Sequence, residues 1–371
     1  MRSIASIVLA LSVMTVAPIA PIAPVVLGGE AQIEKTAPAP DPVAPPSPTV
    51  ATATPTDDPD ACTEDFTGRN VTTEFRERFA NIDKYCTEDR KEALKPYNVI
   101  IVHGLLGEVG LKFTGFLNTF SREQTCIDYF KDQRRAVEEF GVEPNIPGFK
   151  SASIDRSGTK IAQAIADSDR PVVLISHSKG GIDTLDALLK LQKQGKLNKV
   201  AGWISIQGCF YGSPDADSVE NSKFRKPFSF VALKCLGANW DAVRDLTTTS
   251  SAAYHETHRD EIASVLHTVP TICFASWTDK ADKNDPEHKS DGCVPLRSAV
   301  LPNTDYIAKS GVTHGMTVIR SSEKFDRERF TKVLLTMLVD KMKQTAPKEG
   351  GALKEVPALY APEPVQAANA E

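Results

Sequence analysis

The sequence predicts an α/β fold with a mostly parallel central sheet and helices on both faces. Short apolar runs rich in β-branched residues alternate with amphipathic helical patterns along the chain. The runs are continuous rather than alternating, as expected of strands covered on both sides. With 371 residues, 41% of them hydrophobic and 25% charged, the chain is long enough for one large core with appendages.

Asn98–Val102 (NVIIV) is the first such run and ends at His103-Gly104. Asp128–Phe140 carries apolar residues at Phe130, Val137 and Phe140 and reads as a helix that Gly141 stops. Lys150–Ile154 reads as a strand, followed by a helix around Lys160–Ala166. Pro171–Ile175 (PVVLI) is a covered strand. Gly181–Leu191 then repeats apolar residues at Ile182, Leu185, Leu188, Leu189 and Leu191, a helical pattern. Val200–Ile206 and Thr268–Ala275 are further buried strands, and Phe330, Val333, Leu334, Met337, Leu338 and Met342 mark a final amphipathic helix. The segment 213–267 interrupts the alternation. It reads either as a cap or lid above the sheet or as an ordinary helical crossover with long loops.

The ends have a different character. MRSIASIVLALSVMTVA has a basic Arg2 and a short apolar stretch, and residues 1–23 read approximately as a signal peptide. Export to the periplasm, cell envelope or medium follows. An uncleaved anchor is the alternative, but the apolar run ends at Pro18 and is short for a bilayer span. Residues 24–61 are rich in Pro and Ala and read as a disordered linker, as does the tail 346–371. The catalytic domain is expected at 62–345. Seven cysteines, at 62, 86, 126, 209, 235, 273 and 293, fit an oxidising compartment in which some pair. No C-x-x-C pair is present, which argues against structural zinc. The formal net charge is −5 and basic residues are scattered, so a nucleic-acid partner is not expected.

The chemistry begins with ISHSKGG at 175–181, between the PVVLI strand and a helix. A sharp strand-to-helix turn strains its apical residue and leaves room only for small neighbours two positions away. Ser178 is the apex; Ser176 and Gly180 are the neighbours, with Ser176 where glycine is usual. A hydroxyl needs a base, and the base an orienting carboxylate, to act as a nucleophile. With the order serine, acid, histidine, His314 in SGVTHGM is the base, because it follows the strand candidates and precedes the final helix. His177, His255, His258, His267 and His288 are read as packed or solvated; HETH at 255–258 lacks the spacing of a zinc-protease motif. Asp291 in SDGCVP is the preferred acid and Asp279, just past ICFASW, the runner-up, with Asp282 and Asp285 behind them. An acyl-transfer intermediate needs backbone N–H donors for its oxyanion. The amides of Leu105, in the HGLLG turn with His103 and Gly104, and of Lys179 are the candidates.

Taken together, VHGLLG at 102–107, ISHSKGG at 175–181, GCFYGSPDAD at 208–217, SDGCVP at 290–295 and THG at 313–315 resemble motifs of the α/β-hydrolase superfamily, and within it of bacterial triacylglycerol lipases and esterases. The resemblance spans about 97–345, with residue-level matches confined to the motifs. It implies an eight-stranded-type sheet, an ester-hydrolysing Ser178–Asp291–His314 triad and a mobile helical lid. It departs from the family at Ser176, at Lys179 where His is common, and in the long charged loop between Trp277 and Asp291. The expected function is an exported serine carboxylic-ester hydrolase, acting without cofactor or metal on small-molecule or lipid esters, with contact to lipid surfaces. A polyester depolymerase, a thioesterase, or a non-catalytic binder that keeps the fold are the alternatives.

Overall fold

Strand residues point alternately to opposite faces of a sheet, so a continuous apolar run must be covered twice. That demand organises the chain. The computed structural model describes residues 64–105, 129–148, 151–221, 240–278, 289–319 and 325–345, all within the compact unit Cys62–Glu371. The expected leader, linker and C-terminal tail lie outside the described residues.

Six strands form one sheet among the described residues: β1 (Arg69–Asn70), β2 (Asn98–Val102), β3 (Val172–His177), β4 (Val200–Ile206), β5 (Thr271–Trp277) and β6 (Asp305–Ser310). Their order is β1-β6-β5-β4-β3-β2, and every neighbouring pair is parallel. The chain crosses from one edge to the other between β1 and β2, then steps back strand by strand. Eight helices matter for the packing: α1 (Thr72–Ala80), α2 (Lys131–Glu139), α3 (Ile154–Ala166), α4 (Lys179–Lys193), α5 (Pro214–Asn221), α6 (Thr248–Thr257), α7 (Arg259–Thr268) and α8 (Arg327–Thr345).

Register keeps the two faces distinct. Ile101 pairs with Ile175, Ile175 with Ile204 and Ile204 with Ile272, and all four pack with Phe75 of α1, Val137 of α2 and Phe330 of α8. Their neighbours Ile100, Leu174, Trp203 and Cys273 face the other way, onto Ile161 of α3, Leu185 of α4 and Val265 of α7. Residues 172–177 of β3 are buried throughout, which is the covering that PVVLI required.

The structure corrects several expectations. Residues 151–154 are not a strand: Ile154 opens α3, whose N-terminal amides are met by Ser153 Oγ on Arg156 N–H (3.4 Å) and by Asp245 Oδ2 on Ile154 N–H (2.7 Å). Ile154, Ile161 and Ile165 then fall on one buried face, a helical period that a five-residue window does not reveal. β6 and β1 were not anticipated. β6 (DYIAKS) begins and ends in polar residues, and β1 has only two residues. β1 and the residues before it are fastened by side chains, with Arg69 Nη2 2.6 Å from Asp305 Oδ2 and Phe66 edge-on to Tyr306 at 4.9 Å.

In the interrupting segment, α7 is a crossover helix. It buries Ile262 and Val265 and joins α4 through Gln192–Ser264 (2.6 Å) and Lys193–Glu261 (3.0 Å). Residues 222–239 lie outside the described residues. The described cysteines, Cys86, Cys209, Cys273 and Cys293, are free thiols; Cys62, Cys126 and Cys235 are not described. Among the described residues no cluster of His, Cys, Asp or Glu is placed to hold a metal ion, and no helix is long and apolar enough to cross a membrane.

Two outcomes test this packing. Phe274 lies between Phe75 (5.8 Å) and Phe330 (4.7 Å between ring centroids), so Phe274→Ala lowers the unfolding free energy by about 3–5 kcal/mol, read by urea denaturation; a loss below about 1 kcal/mol rejects the central role of this ring. His255 on α6 stacks on Tyr211 at 4.2 Å and bonds the Phe210 carbonyl through Nε2. Burial pushes its pKa down from 6.5 to about 4. Between those values the unfolded chain takes up a proton that the folded chain refuses. Its contribution to stability is therefore complete above about pH 6.5 and is lost as the pH falls toward 4. Urea midpoints fall over this range in the wild type, and His255→Gln flattens the fall; equal slopes contradict the assignment.

Candidate active site

β3 ends at His177 and α4 begins at Lys179, so the reversal from strand to helix falls on Ser178 alone. Its backbone sits at φ 58°, ψ −130°, a conformation that costs a residue bearing a Cβ about 1–3 kcal/mol. The surroundings must therefore hold it there. A Cβ on Gly180 would lie 2.7 Å from the His103 carbonyl oxygen and 2.8 Å from that of Val102, and one on Gly104 only 2.8 Å from Ser178 Cβ. Hydrogen alone fits at both places, and this lets the exit of β2 close over the head of α4. Ser178 N–H donates to the Ile206 carbonyl (3.1 Å), and its own carbonyl accepts from Gly181 and Cys209, tying the turn to the end of β4.

Ser176, standing where glycine is usual, is fully buried. Its hydroxyl accepts the indole N–H of Trp203 at 2.8 Å, so the extra side chain is taken up between β3 and β4 and does not crowd the turn. Lys179 is also fully buried, its ammonium paired with Asp183 one helical turn on. Burial pushes the Asp183 carboxyl up, and Lys179 pulls it back down. The cation therefore points into the protein, while the Lys179 amide heads α4, where helix N–H groups have no acceptor within the helix and favour negative charge.

His314 Nε2 lies 2.9 Å from Ser178 Oγ, and its Nδ1 lies 2.8 Å from Asp291 Oδ2. Asp291 is nearly inaccessible. Its other oxygen accepts the amides of Cys293 (2.9 Å) and Val294 (2.8 Å), a tight turn that Gly292 permits at φ 100°. The carboxylate is fixed by its own loop, and the His314 amide donates to the Asp291 carbonyl at 2.9 Å. An imidazole whose Nδ1–H is held by a carboxylate presents a lone pair at Nε2, the arrangement needed to take a proton from a hydroxyl.

The structure thus brings Ser178, His314 and Asp291 into one series, with the HGL turn of His103, Gly104 and Leu105 beside it. The position of a Cβ on Gly104 is 3.3 Å from Ser178 Oγ. Asp279, Asp282, Asp285 and His288 lie outside the described residues. The other histidines are engaged elsewhere: His258 Nδ1 meets Glu261 at 2.8 Å, and His267 is an exposed residue of α7.

Residues that sequence reasoning passed over complete the surroundings. Gln207, at the end of β4, is fully buried and has φ 49°. Its amide donates to Ser276 Oγ (2.6 Å) and to the Thr313 carbonyl (3.2 Å), and its oxygen accepts from Thr317 Oγ1 (2.7 Å). It therefore grips the loop that carries His314. Positive φ is usually signalled by glycine, and here Gly208 stands one position late. Tyr129 is buried under the HGL turn; its hydroxyl accepts the Gly104 N–H at 3.1 Å and lies 2.7 Å from His177 Nδ1. No local pattern marks it. His177 is packed, as expected, with its ring 4.7 Å from that of His314.

Comparison with known proteins places this geometry. A family model of lecithin:cholesterol acyltransferase matches residues 157–225, the stretch from α3 through the Ser178 turn to the end of α5. Among solved structures, a metagenomic carboxyl esterase is similar over 66% of this chain and 76% of its own, at 19% identity and a TM-score of 0.52. A Bacillus licheniformis lipase in mature form is similar over 66% and 90%, at 19% identity and 0.45. A soluble variant of the Saccharomyces cerevisiae monoglyceride lipase is similar over 67% and 87%, at 13% and 0.38. No curated protein compared with the chain matches it. The chain has the α/β-hydrolase fold, which it shares with the carboxyl esterase.

The buried pair beneath the turn gives a clear outcome. Asp183→Ala leaves the Lys179 ammonium without its partner and destabilises the fold by about 3–5 kcal/mol, whereas Lys179→Met with Asp183→Leu restores most of the loss. Chemical denaturation of the three variants decides it; a harmless single substitution refutes the pairing.

Proposed function

We propose that the chain is an exported serine carboxylic-ester hydrolase, lipase-like, that works through an acyl-serine. One observation carries the reading: the unbroken series from Ser178 Oγ to His314 (2.9 Å) to Asp291 (2.8 Å), with the serine lifted on a turn of φ 58°. Ser178 Oγ attacks the ester carbonyl carbon while His314 Nε2 takes its proton. The carbonyl oxygen becomes an oxyanion, for which the Leu105 and Lys179 amides are the donors, the latter aided by the head of α4. Collapse expels the alcohol, which receives the proton from His314. Water, deprotonated by the same nitrogen, then attacks the acyl-serine and releases the acid. Asp291 holds the tautomer and stabilises the imidazolium throughout. These steps need no cofactor.

The lecithin:cholesterol acyltransferase match over 157–225 favours lipid acyl esters, ahead of short-chain esters or polyesters, with thioesters third. Work at a lipid surface fits that order. Export rests on the apolar, Arg-headed first residues.

A fluorophosphonate probe labels the wild type and leaves Ser178→Ala unlabelled; a wild type that stays unlabelled overturns the hydrolase in favour of a binding protein. Rates on p-nitrophenyl esters of increasing chain length then separate substrates. A jump above the solubility limit marks action on lipid aggregates, and a steady fall with length marks a short-chain esterase.

A further inference from the structure

Hydrogen-bond accounting around His177 links two parts of the site that share no covalent neighbourhood. The His314 carbonyl, 3.1 Å from His177 Nε2, can only accept, so Nε2 carries the proton. Burial and the adjacent His314 hold the His177 ring well below the usual histidine range and therefore neutral. A neutral ring protonated at Nε2 has a bare lone pair at Nδ1. The Tyr129 hydroxyl, 2.7 Å away, must then be the donor to it. That leaves the lone pairs of the phenolic oxygen free to accept the Gly104 N–H at 3.1 Å. On the far side of Gly104 its carbonyl meets His103 Nδ1 at 2.8 Å. In a trans peptide the N–H points opposite to the C=O, so this bond turns the Leu105 amide away from the His103 ring.

We propose that Tyr129 and His177 are positioning residues that set the distance between the oxyanion donor and the general base. The chain runs from the Gly104 amide through Tyr129 Oη and the His177 ring to the backbone of His314, and the Gln207 side chain also meets that ring. One end fixes the turn bearing the Leu105 amide; the other fixes the residue that exchanges protons with Ser178. Neither side chain takes a proton from the substrate. Gln207 holds the same His314 loop from its flanks at Thr313 and Thr317, so loss of the Tyr129–His177 link leaves the loop in place but its spacing from the HGL turn unset. The inference rests on the serine-hydrolase reading and deepens it.

Three variants separate the links. Tyr129→Phe deletes the hydroxyl alone. His177→Gln keeps an N–H donor for the His314 carbonyl and loses the acceptor for Tyr129. His177→Asn keeps an acceptor near Nδ1 and loses the donor to His314. Misplacing one donor without deleting it costs less than the roughly 10²–10³ in kcat of removing it. Tyr129→Phe and His177→Gln are therefore each expected to lower kcat about tenfold on a soluble p-nitrophenyl ester, with KM unchanged and the thermal midpoint lowered by the few degrees that a buried group without its partner costs. The double variant Tyr129→Phe/His177→Gln loses no more than Tyr129→Phe alone, because removing the hydroxyl already cuts the link that His177→Gln cuts, together with the one to Gly104. His177→Asn combined with Tyr129→Phe loses more than either, because it adds the loss of the bond to the His314 carbonyl.

Losses that multiply in the first double variant, losses confined to KM, or unchanged kcat in Tyr129→Phe overturn the proposal. If Tyr129→Phe does not fold, His177→Gln decides: a kcat equal to that of the wild type shows that the tie to Tyr129 sets nothing. A wild type that neither hydrolyses the ester nor reacts with the fluorophosphonate sinks the parent reading instead, and so the two failures are told apart.

Discussion

A single backbone conformation governs the site. Ser178 occupies a torsional region that side-chain-bearing residues avoid, and it stays there because two glycines let β2 and α4 approach without a Cβ between them. Relax that turn and the hydroxyl falls back toward ordinary strand or helix geometry, away from His314. The covered sheet resists this relaxation. β3 is buried along its whole length and α4 is anchored by Leu185, Leu188 and Leu189 in the core, so neither flank can yield. The local strain is thus sustained by packing spread over both faces of the sheet.

A second constraint concerns how the remaining groups are brought to that turn. Asp291 is immobilised by two amides of its own loop, and His314 is tied to Asp291 through both its ring and its backbone. The loops of Asp291 and His314 are therefore joined as one piece. Gln207 fastens that piece to the end of β4, and His177 to the strand that leads into the turn. Polar side chains buried this deeply carry a desolvation cost unless each finds partners, and these find them in one another's backbones.

The sequence disclosed the parts whose physics is local. PVVLI announced a doubly covered strand because nothing else places five apolar residues in a row before a turn, and the small residues around Ser178 marked where that strand must break. Ser178, Asp291 and His314 were nominated from separate stretches, and their side chains lie within hydrogen-bonding reach. What stayed hidden depends on partners distant in the chain. β6 pairs only because β5 and β1 flank it, and its polar ends mask its buried middle. Ile154 reads as the end of a strand, yet it opens a helix in which Asp245 supplies the acceptor for its amide. Tyr129 and Gln207 carry no motif, since what matters is which carbonyls and rings surround them. Lys179 would be read as a solvated charge from its type alone, and Asp183 makes it a buried one.

The uniform direction of the sheet has a wider implication. Because neighbouring strands all run the same way, the chain leaves β2, β3, β4, β5 and β6 at the same rim, and it is there that Ser178, Asp291 and His314 meet. Everything below that rim is framework, and the segments that leave it can lengthen, shorten or change composition without disturbing a rung of the ladder. Rim and scaffold are thereby separable variables: lineages or engineers can graft new segments onto the rim while inheriting the sheet beneath it unaltered.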